Sequence, residues 1–337
     1  MVPTSPVREE AVRLRALITG IAGFAGSHLA DYLLTQGDIE VCGISLPADG
    51  TGNLAHILER VRLHLADLTE YGRTVSLLQA IKPNLIFHLA AQASVARSWE
   101  DPSHTLVNNT TIQLNLLQAL IELGFDPRML VVGSGDEYGL VQPEDLPVHE
   151  DTPLRPLNPY AVSKVTQDYL ALQYHLSHGL HIVRVRPFSH IGPRQGQGFV
   201  VPDFCSQIAA AEAGLQEPVM RVGNLSAERD FTDVRDIVRG YYLALTEGRP
   251  GQVYNLGSSH ACSIQSILDR LLERSRIPMR VQIDPTRMRP VDIPVIVCDS
   301  GRFQRETGWE PRYPIADTLR ETLEFWRQRV QAEGQAG

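Results

Sequence analysis

The sequence predicts an α/β fold built on a doubly wound parallel sheet. Short, continuous apolar runs alternate with helical patterns through the first half of the chain. Runs apolar throughout belong to strands buried on both faces, as in a parallel sheet covered by helices on each side. The first run ends in a glycine-rich turn that opens a helix, and the 337 residues, 43% of them hydrophobic, suffice for a large core.

Taken in order, residues 13–19 form a strand ended by Gly20, and residues 24–36 a helix. Strands at 39–45 and 61–65 follow, then a helix at 70–81, a strand at 84–89 and a long helix at 102–123. Residues 128–133 are a strand, 159–177 a helix and 180–185 a strand. After Pro187 the rhythm breaks, and Gly and Pro crowd residues 191–202. A helix at 203–213 and a strand at 219–222 come next. A helix at 233–246 and a strand at 253–256 rejoin the first sheet. Ser263 is placed to cap a helix running to Ser275, and residues 315–330 make a last amphipathic helix. The expected organisation is a Rossmann domain of residues 11–186 plus 229–257, interleaved with a smaller substrate domain of residues 187–228 plus 258–330.

The net charge of −8 argues against nucleic acid as a partner, because phosphate backbones attract basic surfaces. No apolar run approaches the roughly 20 residues of a membrane span. The first ten residues, MVPTSPVREE, lack the charged-then-apolar order of a signal peptide and read as a loose leader. Cys42, Cys205, Cys262 and Cys298 form no Cys-x-x-Cys pair and sit among apolar or small residues. They read as four buried free thiols, with no metal site, in a cytoplasmic protein.

Three glycines, Gly20, Gly23 and Gly26, surround Phe24 and Ala25 between the first strand and the first helix. They permit a tight turn, a bare backbone against a pyrophosphate, and close helix–strand packing, with the helix N-terminus facing the anion. The spacing G-x-x-G-x-x-G is one residue longer than the usual dinucleotide fingerprint, and alone it fits a ligand-free turn too. Asp67 and Leu68 follow the third strand, where a carboxylate can accept from an adenine amine. Leu89, Ala90 and Ala91 end the fourth strand with side chains that leave room for a cofactor. Asn109, in the following helix, is a candidate to hold a backbone group or a lysine-linked water. At the end of the second strand stands Ser45, neither the acidic residue that selects NAD nor an Arg that favours NADP, so NADP(H) and NAD(H) both stay open.

Tyr160 and Lys164 lie at i and i+4 on one helix face. A free tyrosine titrates near ~10. A neighbouring ammonium is expected to stabilise its phenolate and bring that value down. Ser134, at the end of the fifth strand, is placed to hydrogen-bond the reacting oxygen.

The set Gly20-x-x-Gly23-x-x-Gly26, Asp67-Leu68, His88-Leu89-Ala90-Ala91-Gln92, Ser134-x-x-x-Tyr138-Gly139 and Tyr160-x-x-x-Lys164 resembles the extended short-chain dehydrogenases/reductases. Later runs resemble the branch of GDP-4-keto-6-deoxy-D-mannose reductases, with GDP-mannose 4,6-dehydratases near. They are Arg186-Pro187-Phe188-Ser189-His190-Ile191-Gly192-Pro193, Gly198-Phe199-Val200-Val201-Pro202, Gly223-Asn224-Leu225, Arg229-Asp230-Phe231-Thr232-Asp233 and Arg287-Met288-Arg289-Pro290. The resemblance implies a GDP-sugar substrate, a homodimer joined through the helices at 102–123 and 159–177, and Pro187 among the cofactor contacts. It also implies that Arg229 and Arg289 hold the diphosphate and that the stretch with Val200 and Val201 lines the nucleobase pocket. Ser189 replaces the Asn usual in the family, a shorter donor toward the sugar.

In the dehydratases of this family a Glu removes the C5 proton. Here the run is Ser134-Gly135-Asp136-Glu137, so Asp136 occupies that place with a carboxylate one methylene shorter, and Gly135 offers no proton. A base must lie within hydrogen-bond reach of the proton it takes. The expectation is therefore reduction of GDP-4-keto-6-deoxy-D-mannose to GDP-D-rhamnose. GDP-mannose 4,6-dehydration is the first alternative, 4-epimerisation a weaker one. A dinucleotide-binding redox sensor without catalysis is disfavoured by the intact Tyr160 and Lys164.

Overall fold

The computed structural model describes residues 13–288 and 293–335. The leader and Arg289 lie outside the described residues. The first half reads β1 (Leu14–Thr19), α1 (Phe24–Leu34), β2 (Ile39–Ser45), β3 (Arg62–Leu65), α2 (Tyr71–Ile81), β4 (Leu85–His88), α3 (Val95–Glu100), α4 (Pro102–Leu123), β5 (Arg128–Val132), α5 (Pro159–His178) and β6 (Ile182–Pro187). The second half reads β7 (His190–Ile191), α6 (Val200–Glu212), β8 (Val219–Val222), β9 (Glu228–Asp230), β10 (Thr232–Asp233), α7 (Val234–Thr246) and β11 (Val253–Leu256). It ends with β12 (Ala261–Ser263), α8 (Ile264–Leu272), β13 (Arg280–Ile283), β14 (Val295–Ile296), α9 (Gly301–Thr307) and α10 (Ile315–Gln335).

Seven strands form one parallel sheet in the order β11-β6-β5-β4-β1-β2-β3. Period-two alternation along each strand divides its side chains between two cores. Ala16 and Ile18 of β1 face α1 and α7, together with Phe87, Val183 and Val185. Leu17 faces α2, α4 and α5, together with Ile86, Met129 and Val131. The order of strands reverses at β1 and β4, so the crevice at their carboxyl ends is the ligand site of such a sheet. A third core, with Val201, Phe204, Met220, Ile267, Leu323 and Trp326, gathers α6, β8, α8 and α10 into a smaller lobe.

Helix ends follow local chemistry. Asn158 caps α5 by accepting from Ala161 N at 2.8 Å, and Pro159 takes the first turn, where its missing N–H costs nothing. Ser263 accepts from Ser266 N at 3.1 Å and caps α8 as expected. Helix α6 begins three residues earlier than its apolar pattern suggests, drawing in Pro202 at a first-turn position. Residues 229–233, expected with the larger domain, instead form β9 and β10, which pair with β12, β14 and β7. Of the four thiols, Cys262 is only half-buried; all four are free. Among the described residues no helix is long and apolar enough to cross a membrane.

Candidate active site

Two regions meet at the carboxyl ends of β1, β4 and β5. The first is the glycine loop. Gly20 turns with φ +73°, a conformation glycine adopts without strain, and a Cβ there would sit 3.1 Å from Ala90 Cα. A Cβ on Gly26 would lie 2.2 Å from Gly20 O, so a bare residue is required for α1 to approach the loop. Gly23 is the N-cap of α1, and no side chain closes it. The helix N-terminus is left to face an anion, and the residues fit a dinucleotide pyrophosphate. The loop is braced by Gly20 N and Ile21 N, which both donate to Ile44 O, and by Thr19 Oγ1, which accepts from Ala90 N at 3.1 Å. Phe24 stacks on His190 from the smaller lobe.

Other expected cofactor contacts ring this loop. Ser45 is buried at the end of β2 and donates to Asp49 Oδ2 at 3.3 Å. Asp67 Oδ1 accepts from Thr69 N and Oγ1, and Leu68 is in the core with its carbonyl held by Asn115. Asn109 holds main chain, the first of its two expected parts. Its amide takes Gln92 N at 2.7 Å and gives to Gln92 O and Ser163 Oγ, so it fastens the end of β4 to α5. Those three bonds leave the side chain committed to protein groups.

The second region is the catalytic corner. The Ser134 and Tyr160 side chains lie side by side, near enough for Ser134 to act on the Tyr160 hydroxyl. Lys164 Nζ donates to Val132 O at 2.7 Å and to Gln167 Oε1 at 3.0 Å. Burial lowers the Lys164 ammonium to about 8. The expected lowering of Tyr160 is not found. Burial first, then the Asp136 and Glu137 carboxylates, push its hydroxyl up, while Ser134 draws it down. In a dry pocket the cost of desolvating a phenolate dominates, and Lys164 is turned to Val132 and Gln167. Gly135 lies flat against the Phe188 ring, where an added Cβ would meet ring atoms at 3.1–3.3 Å. The Asp136 carboxylate is near enough to act on Tyr160 electrostatically.

Behind this corner is a buried charge network that sequence reasoning missed. Ser134 N donates to Glu137 Oε1 at 2.8 Å. Arg186 Nε lies 3.0 Å from Glu137 Oε2 and 2.8 Å from Asp168 Oδ2, and Arg184 pairs with Asp168 as well. Asp168 stands on α5, one turn beyond Lys164. Burial and the Asp168 carboxylate outweigh Arg186 and push the Glu137 carboxyl up. Gln167 extends the network on the other side, donating to Asn109 O and approaching His88, whose Nδ1 meets Thr19 Oγ1 at 2.9 Å. Lys164 is thus linked to the glycine loop through protein groups alone. Arg186 and Glu137 belong to quoted runs, though neither was given this part; Gln167 and Asp168 are ordinary helix residues in sequence.

The smaller lobe supplies the rest. Ser189 is exposed, with its carbonyl accepting from Thr232 N, and Pro187 is buried at the end of β6. Val200 is half-buried at the start of α6, while the Val201 side chain is wholly in the third core. Arg229 Nη1 donates to Glu228 O at 2.8 Å and Ile293 O at 2.7 Å, which fixes the guanidinium at the edge of β9.

Comparison with known proteins agrees with this geometry. Residues 17–322 match the family model described as GDP-mannose 4,6 dehydratase. The GDP-6-deoxy-D-mannose reductase of Pseudomonas aeruginosa is 35% identical over 95% of this chain and 99% of its own. A GDP-mannose 4,6-dehydratase of Vibrio cholerae is 30% identical over 93% of each. Among solved structures, the Pseudomonas aeruginosa RMD complexed with NADPH superposes with a TM-score of 0.83 at 34% identity, covering 94% of this chain and all of that one. The Thermus thermophilus UDP-glucose 4-epimerase complexed with NAD gives 0.83 at 29%, over 93% and 99%. A glycine-loop cradle, a Ser–Tyr–Lys corner and a match across both lobes lead to one conclusion: the chain belongs to the GDP-mannose 4,6 dehydratase family of extended short-chain dehydrogenases/reductases.

Proposed function

We propose that the protein reduces the C4 keto group of GDP-4-keto-6-deoxy-D-mannose to give GDP-D-rhamnose, with NADH or NADPH as reductant. The corner formed by Ser134, Gly135 and Asp136 beside Tyr160 carries this reading: a proton donor and an oxygen-positioning hydroxyl stand together, and the place of the eliminating base holds a shortened carboxylate. When bound, the reduced nicotinamide supplies the hydride for C4. Tyr160, kept protonated by its buried site, gives its proton to the C4 oxygen as that oxygen gains negative charge. Ser134 donates to the same oxygen and holds it against Tyr160. Lys164, held by Val132 and Gln167 one helical turn beyond Tyr160, lends its positive charge to the phenolate left behind.

In this reading Gly20, Gly23, Phe24, Ala25 and Gly26 hold the pyrophosphate, and Ser45, Asp67, Leu68, Leu89, Ala90, Ala91 and Pro187 flank the cofactor. Arg229, with Arg289, neutralises the sugar-nucleotide diphosphate, and Ser189, Val200 and Val201 adjoin the sugar and base. The protein works as a cytoplasmic homodimer. Exposed Val107 and Ile121 on α4, and Val162, Tyr169 and Leu176 on α5, support a helical dimer face.

The test is incubation with GDP-4-keto-6-deoxy-D-mannose and NADH or NADPH, following the nicotinamide absorbance. Stoichiometric consumption is expected, with Tyr160→Phe slower by about 10²–10⁴-fold. No consumption with any 4-keto sugar nucleotide overturns the reading. The Asp136 carboxylate beside Tyr160 favours one alternative, dehydration of GDP-mannose without net cofactor use, which Asp136→Asn would abolish.

A further inference from the structure

Lys164 is buried against neutral acceptors. Its ammonium donates to Val132 O at 2.7 Å and to Gln167 Oε1 at 3.0 Å, which spends two of its three N–H donors. Gln167 stands on α5 three residues after Lys164, on the same face, and is buried. Its main-chain carbonyl is held in turn by Gln113 Nε2 of α4 at 2.7 Å.

The Gln167 amide can point only one way. Its Nε2 donates to Asn109 O at 2.8 Å and lies 3.5 Å from His88 Nε2. Turned over, the amide would set its oxygen against the Asn109 carbonyl and its NH₂ against the Lys164 ammonium, a mismatch at both ends. His88 fits this lock. With its Nδ1–H donating to Thr19 Oγ1 at 2.9 Å, its Nε2 is left as an acceptor toward the amide NH₂. Burial and the Lys164 charge lower His88 to about 3, so the ring stays neutral and keeps that acceptor.

Other charged groups stand around Lys164 and Tyr160. The turn after β5 brings Asp136 and Glu137, α5 itself carries Asp168, and β6 supplies Arg184 and Arg186. Both arginines pair with Asp168, and Arg186 also pairs with Glu137. The groups that actually grip Lys164 carry no charge.

We propose that Gln167 is a positioning residue for the reaction at Tyr160: its one-way amide, set by Asn109 and His88, holds Lys164 through a neutral acceptor. The inference rests on Tyr160 and Lys164 as the reacting pair. A carboxylate in the same place would favour the ammonium and keep its proton from leaving near neutral pH. An apolar chain would leave a buried charge short of an acceptor.

The chain has two lysines, Lys164 and the exposed Lys82. Labelling the full chain with ¹³Cε-lysine therefore gives two NMR signals, and Lys82→Arg identifies which is which. In the parent the Lys164 signal should titrate at about 8. Gln167→Met is expected to lower that midpoint by about one pH unit, and Gln167→Glu to raise it by about one. With the 4-keto sugar nucleotide, Gln167→Met should cut kcat at pH 8 roughly fivefold, in step with the lost ammonium, and leave KM unchanged. Gln167→Glu is isosteric and, when protonated, keeps both hydrogen bonds, so it decides alone if Gln167→Met does not fold. A midpoint that moves by less than about 0.3 unit in the folded variants overturns the proposal. If the parent turns over no 4-keto sugar nucleotide, the reductase reading falls and the titration still decides this proposal. A fixed midpoint with normal turnover removes this proposal alone.

Discussion

At the glycine loop the fit to an anion is made by main chain: bare Cα atoms at Gly20 and Gly26, an open helix N-terminus at Gly23, and carbonyls such as Ile44 O that brace the turn. At the catalytic corner the fit is made by buried side chains, with Glu137, Arg186, Asp168, Gln167 and Asn109 holding Ser134, Tyr160 and Lys164 in place. The first construction fails when an atom is added. The second fails when one is removed. The contrast separates two ways of building a precise site, and each can be attacked on its own terms.

The largest effect is expected from removing atoms at the corner. Glu137→Ala strips the acceptor from the buried Ser134 N–H and leaves Arg186 short of a partner, a loss of about 3 kcal/mol or more. Thermal denaturation should show a clear fall in Tm, and Glu137→Gln, which keeps an acceptor, should lose much less. Equal losses for the two variants would mean that the space matters and the hydrogen bond does not. Next comes adding an atom at the loop. Gly26→Ala places a methyl against Gly20 O, at a cost of about 1–3 kcal/mol. Its dinucleotide Kd should rise at least roughly tenfold while the corner variants bind cofactor normally. A Gly26→Ala protein with parental Kd would remove the main-chain account of the loop.

The smallest effect is in the pH profile. Lys164 sits at about 8 because burial disfavours its charged form, so it is an ammonium below that pH and an amine above it. The phenolate left on Tyr160 then loses its stabilising charge, and kcat should fall as pH rises through about 8. A flat profile from pH 7 to 9 would place the proton-handling step elsewhere. In the same range dinucleotide binding should change little, since the loop holds its ligand with groups that do not titrate.

The contrast also explains what could be read from the chain. Main-chain construction leaves marks in sequence: the glycines at 20, 23 and 26, and the apolar runs of β1, β2, β4 and β5, predict the sheet and the phosphate cradle almost residue by residue. The helix spacing that pairs Tyr160 with Lys164 is equally local. The network behind them is not local. Glu137, Asp168 and Arg186 meet only because β5, α5 and β6 are packed side by side, and nothing in the spacing of the three announces it. In the smaller lobe, two-residue strands such as β7, β10 and β14 are too short for alternation to register, so only α6, α8, α10 and β8 were legible.

Gly133 gives this a consequence for variation. A Cβ on it would lie 2.2 Å from Glu137 Oε1 and 3.1 Å from Val185 O. Positions 133 and 137 are therefore one choice made twice. A side chain at the first forces the carboxylate at the second to shift, and with it this way of anchoring Ser134. Substitutions at the two sites should be inherited together, and a library that randomises either one alone samples mostly broken enzymes.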